Sequence, residues 1–374
     1  MRNFAICGSR FSELKNAEDL IEGITLENIL VYCGLVHTQK PDFVADSPSH
    51  RDKVLVRKRA FSCNYRDKSL ILKMATRGPD PSFYVVGSEF VGEVVAVGAD
   101  VKDLCIGDRV IGDNHYPGTK IVEVAPGIPS NQGSKEYQIF HPVKLMQIPA
   151  KMPDEVAAAF GLGAQTSYSI LRRLKIVNGD RILVTAARSN TSLFVIQALQ
   201  QYDVRIYATT TSHEFIPKLE QMGVETAVLI DPTLENWQDD PILSAIALRV
   251  GGFSAVVDPF FDLHLGRVIS LMAADARYIT CGFHNQYSQF TGKPFEYCGQ
   301  PFGAVLTAVM LNNLHIMGNC LGQSDDLKAA IQDYVSGKFK PIIDTVFSGD
   351  QIGVFLNRTY NASDRFGKVV YSYQ

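Results

Sequence analysis

Arg181-Ile182-Leu183-Val184-Thr185-Ala186-Ala187-Arg188-Ser189-Asn190-Thr191-Ser192-Leu193 is the stretch whose reading decides the fold. Residues 181–185 read as a buried strand and residues 193–201 as a helix, with a short turn of small residues between them. The same alternation repeats downstream. Residues 204–208 give a second strand and 215–222 a second helix. Residues 227–230, 255–258, 278–282 and 315–318 give four further strands, residues 327–335 a helix and 367–371 a closing strand. Strands alternating with helices predict an α/β fold: a doubly wound parallel sheet with helices on both faces.

Upstream the texture differs. Val54-Leu55-Val56-Arg57-Lys58-Arg59-Ala60 alternates like a half-buried strand, residues 91–97 form a β-branched run, and Gly107-Asp108-Arg109-Val110 follows a turn. Short strands punctuated by glycine predict a small β-rich domain. Residues 112–133 form a long loop rich in Gly and Pro. The first 50 residues carry weaker signals: 16–30 read as a helix and 41–49 as a loop, with no task assigned.

Composition narrows the class. Of 374 residues, 46% are hydrophobic and 20% charged, enough to fill a core. A net charge of −3 gives no footprint for nucleic acid. No apolar run approaches the roughly 20 residues that cross a bilayer, so no membrane partner is expected. Phe4-Ala5-Ile6-Cys7 is too short for a signal-peptide core. The seven cysteines form no C-x-x-C pair and read as reduced thiols of a cytoplasmic protein.

A dinucleotide site needs a strand, a tight turn and a helix whose N-terminal amides face the pyrophosphate. The usual glycines are absent here, yet small residues recur at Ala186, Ser189 and Ser192. Ser189, Asn190, Thr191 and Ser192 add donors, and Arg188 a charge. The alternative is a strand–loop–helix without a ligand. At the end of the second strand, a carboxylate would accept from the ribose hydroxyls of NAD and repel a 2′-phosphate. The chain has Thr209-Thr210-Thr211-Ser212-His213 instead. That turn suits NADP(H), unless it is only a solvated turn.

Ordered marks from Lys53 to the C-terminus resemble the medium-chain dehydrogenase/reductase superfamily. They are Gly87-Ser88-Glu89-Phe90-Val91-Gly92-Glu93-Val94, Val97-Gly98, Gly107-Asp108-Arg109-Val110, Gly133-Ser134-Lys135-Glu136-Tyr137, residues 161–168, Val257-Asp258, Gly282-Phe283 and Gly367-Lys368-Val369-Val370. The set is most similar to the quinone oxidoreductase and enoyl reductase branch. The resemblance implies a GroES-like β-rich catalytic domain at 51–164 and 325–374, and a Rossmann domain at 165–324. Residues 1–50 remain an extension.

The resemblance also implies the loss of a metal. Zinc-dependent members carry a cysteine where this chain has Asn64, and a histidine where it has Ser88. Residues 161–164 offer no third ligand. The loop after Asp108, which holds a four-cysteine structural zinc in relatives, has no cysteine at 112–133. Without zinc, hydride addition to an activated C=C bond is easier to explain than alcohol oxidation. The leading expectation is therefore an NADPH-dependent reductase of an enone, enoyl thioester or quinone. A metal-free alcohol or aldehyde dehydrogenase and a non-catalytic NADP-binding relative stand as alternatives.

Tyr65 is the candidate proton donor or oxyanion partner, beside Asn64, which the resemblance places in the catalytic site near the nicotinamide amide; the other reading of Tyr65 is a half-buried core aromatic. Tyr168 is a second candidate, or a packing residue. Thr166, Phe283 and Lys368 join the cofactor residues by resemblance, with Lys368 expected at the pyrophosphate. His284 and Asn285 follow a strand end that faces the cofactor crevice. Related reductases pair through the strand at 315–318, so a homodimer is expected.

Overall fold

Alternating apolar residues build strands from the first residue onward. The structure, a computed structural model, describes residues 1–78, 80–292 and 296–373. It divides into two compact units: residues 1–162, 287–293 and 341–374, and residues 163–286 and 294–340.

In unit 1, β1 (Arg2–Cys7), β2 (Leu20–Leu26), β3 (Ile29–His37), β4 (Val54–Ser62), β5 (Phe83–Val85), β6 (Glu89–Val97), β7 (Arg109–Gly112), β8 (Tyr137–Phe140) and β9 (Leu145–Gln147) come first. Four of them form an antiparallel sheet in the order β2-β3-β1-β5. The helix expected at 16–30 is instead a hairpin. Ile24 and Leu26 alternate into the core, and Leu26 pairs with Ile29 across two residues, Glu27 and Asn28. Both have positive φ, 49° and 64°, the backbone of a tight hairpin turn. Glu-Asn is an unusual pair for that turn, so the hairpin was hidden in the sequence.

Unit 2 is built on β10 (Arg181–Val184), β11 (Arg205–Thr210), β12 (Thr226–Leu229), β13 (Phe253–Asp258), β14 (Met272–Thr280) and β15 (His315–Gly318). All pairs are parallel, in the order β12-β11-β10-β13-β14-β15. This is the dinucleotide-fold order, with the reversal between β10 and β13. The helix Ser324–Val335 lies in this unit, so the β-rich unit resumes at Pro341 and not at 325. The helix Phe302–Leu311, which precedes the edge strand β15 in the chain, buries Val305 but exposes Phe302, Leu306, Met310 and Leu311.

The last segments, β16 (Ile343–Ser348) and β17 (Lys368–Ser372), return to unit 1 and complete a seven-stranded sheet. Its order is β16-β17-β4-β6-β7-β9, with β8 also paired to β4. Residues 1–50 are therefore part of unit 1 and not an appendage. Phe4 of β1 packs edge-on against Phe61, Phe355 and Tyr371, with ring centroids 5.4, 5.4 and 5.3 Å away. Strand β2 lies along the helix Ile352–Tyr360, where the Gly353 amide donates to Glu22 Oε1 at 2.5 Å. A Cβ on Gly353 would lie 2.7 Å from Glu22 Cδ and 2.8 Å from Ile24 Cγ2, so these side chains of β2 would have to shift to admit one.

Among the described residues, no helix is long and apolar enough to cross a membrane. Phe61 is fully buried and meets Phe4, Phe355, Tyr371 and Tyr373. Phe61→Ala is therefore expected to destabilise unit 1 by about 3–5 kcal/mol in chemical denaturation. A loss below about 1 kcal/mol would show that this cluster is not the packing centre.

Candidate functional site

Asn64 lies two residues beyond β4 and caps the helix Tyr65–Ala75. Asn at the cap and Asp67 three residues on form a capping box, with the Asn64 amide donating to Asp67 Oδ2 at 2.7 Å. The Asn64 side chain then reaches across the sheet. Its Nδ2 donates to Ser88 Oγ at 3.1 Å and to Glu89 Oε2 at 2.8 Å, while its Oδ1 accepts from Lys368 Nζ at 2.8 Å. Ser88 Oγ donates to Asp67 Oδ2 at 2.6 Å.

Glu89 is the centre of this cluster. It forms a fully buried ion pair with Lys368, and it accepts from Ser62 Oγ at 3.0 Å and from the Leu162 amide at 2.6 Å. Burial alone would raise the Glu89 pKa; the Lys368 charge and the hydrogen bonds outweigh it and hold the carboxyl below its ordinary value. Asp67 goes the other way: burial pushes it up, and Arg66 and Ser88 only partly oppose this. Beside the cluster, Ser88, Glu89, Gly112, Asn114, Gly161 and Leu162 line a small recess with Phe90.

Three further lysines, Lys58, Lys68 and Lys144, are buried in unit 1. Lys144 donates to the carbonyls of Asn114 at 3.1 Å, Ala125 at 3.3 Å and Gly127. It thereby gathers the long loop that sequence showed only as polar. Burial lowers its pKa. Lys58 donates to Gln132 O and Gln138 Oε1, both at 2.6 Å, and lies over the rings of Phe90 and Phe140 at 4.5 and 5.3 Å.

Tyr65 is half-buried at the start of its helix, with its ring tilted against Tyr287 at 5.8 Å between centroids. Tyr168, the second candidate, is buried and donates to Asp333 Oδ2 at 2.7 Å. That bond fits a packing role. Lys368, expected at the pyrophosphate, is instead committed to Glu89 and Asn64 inside unit 1. Asn64 uses both amide hydrogens within the protein, so it acts as a strut rather than a free donor.

In unit 2, β10 runs into Ala186, whose φ is +42°, a conformation that usually selects glycine. Ser189 caps the ten-residue helix Asn190–Leu199, with its Oγ accepting from the Ser192 amide at 3.1 Å. Ser192 Oγ ties back to Thr185 O at 2.9 Å. The Ala187 amide donates to Thr209 O at 2.9 Å, which brings the two predicted cofactor segments together. Thr209 and Thr210 are buried, and the Thr209 hydroxyl has no hydrogen-bond partner among the described residues. Thr211 and His213 are exposed, Ser212 bonds Glu214 at 3.2 Å, and Arg188 lies over the Phe215 ring at 4.9 Å. Thr166 is buried in the helix Gly161–Leu174, and Phe283 follows β14, 6.0 Å from Phe261 between ring centroids.

Sequence reasoning took Val257-Asp258 as a family mark but gave no role to the carboxylates that hold these turns. Asp258, fully buried at the end of β13, accepts from Thr185 Oγ1 at 2.7 Å and from Tyr278, and pairs with His264 Nδ1 at 2.7 Å. Burial would raise Asp258, but His264 and the hydrogen bonds leave it lowered. Asp262 accepts from the amides of His284 at 2.7 Å and Asn285 at 2.9 Å. His284 and Asn285 thus have anchored backbones. A carboxylate after a β-strand was the only local signal for Asp258.

Residues 50–150 match the alcohol dehydrogenase GroES-like domain family. Quinone oxidoreductase-like protein 2 of Bos taurus is 27% identical over 304 residues, 77% of this chain and 76% of that protein. Acryloyl-coenzyme A reductase of Sulfurisphaera tokodaii is 24% identical over 328 residues, 81% of this chain and 87% of that protein. A solved structure described as an NAD-dependent alcohol dehydrogenase superposes with a TM-score of 0.76 at 21% identity, covering 100% of both chains. At that identity the superposition speaks for the fold alone.

The buried pair yields a direct test. Lys368→Met leaves Glu89 without its counter-charge and is expected to cost about 3–5 kcal/mol in denaturation at neutral pH. Adding Glu89→Gln to that variant should recover most of the loss. The folded carboxyl of Glu89 lies below its ordinary value. Its contribution is thus full above the ordinary glutamate range and is lost as pH falls through the folded value. The double variant should lack this acid-side component. An unchanged acid limb would sink the assignment.

Proposed function

Because the chain belongs to the medium-chain dehydrogenase/reductase superfamily, in its quinone oxidoreductase-like branch, we propose that it is a zinc-independent, NADPH-dependent reductase of an activated C=C bond or a quinone. The observation that carries this reading is the Lys368 ammonium bonded to Asn64 and Glu89. Relatives would place metal ligands at Asn64 and Ser88; here an amide and a hydroxyl are tied into a charge-balanced network. Asn, Ser and a neighbouring ammonium make a poor donor set for zinc.

The residues that would hold the cofactor are Ala186, Arg188, Ser189, Asn190, Thr191 and Ser192, with Thr209 to His213 at the adenosine ribose. The unpartnered Thr209 hydroxyl and the carboxylate-free Thr209–His213 turn support a phosphorylated ribose. NADPH, when bound, supplies a hydride to the β-carbon of the acceptor. The chain's own part is to bind the conjugated oxygen and to deliver a proton to the α-carbon. Tyr65 is the proposed donor, with its phenolate reprotonated from solvent. A cytoplasmic location fits a chain with no disulfide among its described cysteines.

The test is NADPH oxidation against a panel of α,β-unsaturated ketones, enoyl thioesters, quinones and aldehydes. Turnover is expected on an activated alkene or quinone, with NADPH binding more tightly than NADH by fluorescence titration. Tyr65→Phe should lower kcat and kcat/KM together by roughly 10²-fold, as for a general acid, with cofactor affinity kept. Activity on aldehydes alone would favour the alcohol dehydrogenase alternative. A silent Tyr65→Phe would remove Tyr65 from the site.

We also propose a homodimer through the β15 edge. It is supported by the apolar face of the helix Phe302–Leu311, which precedes that strand in the chain, with Phe302, Met310 and Leu311 each at least 66% exposed. Light scattering at micromolar concentration should give twice the chain mass, and Met310→Asp should shift it towards one. A monomeric wild type would count against the pairing.

A further inference from the structure

The hairpin that ends at Glu27 and Asn28 has no task in the function proposed above. Its tip meets the helix Tyr65–Ala75. There the Glu27 carboxylate forms an ion pair with Lys68 and accepts from the Tyr287 hydroxyl at 3.1 Å. The Lys68 ammonium lies over the Tyr287 ring at 4.6 Å and over the Tyr65 ring at 5.7 Å. The two rings lean on each other at 5.8 Å. All four residues belong to unit 1. Lys68 and Tyr287 are each 5% exposed.

A buried ammonium needs a counter-charge, and Glu27 provides it. The provision is rigid. Glu27 sits in a two-residue turn closed by the Leu26–Ile29 pair, so its position follows from the sheet and not from a mobile loop. Lys68 lies one helical turn after Tyr65, on the same face of the helix. A single carboxylate therefore bonds two groups that border the Tyr65 ring, the Lys68 ammonium and the Tyr287 hydroxyl.

We propose that Glu27 is a positioning residue for the reduction: through Lys68 and Tyr287 it holds the Tyr65 ring and so sets the direction of its phenol. The proposal rests on Tyr65 being the proton donor. Glu27 touches neither substrate nor cofactor, and its effect passes through Tyr65 alone. An N-terminal hairpin thus becomes part of the catalytic apparatus of unit 1.

A double-mutant cycle on the full chain tests this, with NADPH and an α,β-unsaturated ketone from the panel. Glu27→Ala should lower kcat by roughly 10-fold or more through misplacement of the donor, with NADPH affinity unchanged, and Glu27→Asp should regain part of it. In a Tyr65→Phe background, Glu27→Ala should add nothing, because there is no phenol left to aim. Equal fold-losses in both backgrounds would overturn the proposal and mark Glu27 as structural. A slow Tyr65→Phe with an unaffected Glu27→Ala would overturn it alone. A silent Tyr65→Phe, or no turnover of any panel member, would remove the Tyr65 assignment and this proposal together. If Glu27→Ala does not fold, Glu27→Gln, which keeps the acceptor and loses the charge, enters the same cycle.

Discussion

Burial of the Lys368 ammonium against Glu89 constrains the layout of unit 1 more than any other contact. An ion taken out of water must recover its hydration from fixed partners. Glu89 does so with Lys368, Asn64, Ser62 and the Leu162 amide. Glu89 opens β6, and its partners come from β4, the residue Asn64 just beyond it, β17 and residue 162, so the pair is satisfied only when the sheet closes in register. The C-terminal strand cannot slip by one residue without turning Lys368 to the other face. Asn64 is caught in the same net, and with it the start of the Tyr65 helix. Sheet order, helix start and the polarity of the recess therefore follow from one desolvated charge pair.

The same device appears a second time. Lys144 gathers the carbonyls of Asn114, Ala125 and Gly127, in the loop where the resemblance would put four cysteines around a metal. An ammonium on a side chain is a cation that cannot dissociate. It donates to three carbonyls, one of which, Asn114 O, also accepts from the Gly127 amide at 2.9 Å, at the cost of burying one charge. Asn114 lines the recess beside Glu89, so loop and cluster meet in the same small volume.

How much of this was legible depended on sequence distance. The parallel sheet was readable because each strand–helix unit carries its own periodicity, and the β-rich unit because residues 54–60 and 91–97 alternate locally. The turn at Ser189 was found from its neighbours alone. The hairpin at Glu27–Asn28 was read as helix because Glu27 is not a usual choice for positive φ, and because Gly23 and Glu22 blur the alternation of β2. The buried clusters were invisible for a different reason. Glu89 and Lys368 are separated by 279 positions and Glu27 and Tyr287 by 260, and no local pattern announces such a contact. Lys368 was singled out, yet sequence could not say which anion it would meet.

The glycine-poor turn of unit 2 fits the same logic. Ala186 at φ +42° carries a backbone penalty of roughly 1–2 kcal/mol that glycine would avoid. The surrounding bonds oppose that penalty. Ser189 caps the helix, Ser192 returns to Thr185, and Thr185 is held by Asp258. A glycine turn is permissive and is ordered by what it binds; this one is ordered by its own hydroxyls. Were an anion to bind at this helix N-terminus, so ordered a turn would lose less entropy in meeting it. Loss of the fingerprint glycines is therefore compatible with a working phosphate turn, because the serines replace flexibility with preorganisation.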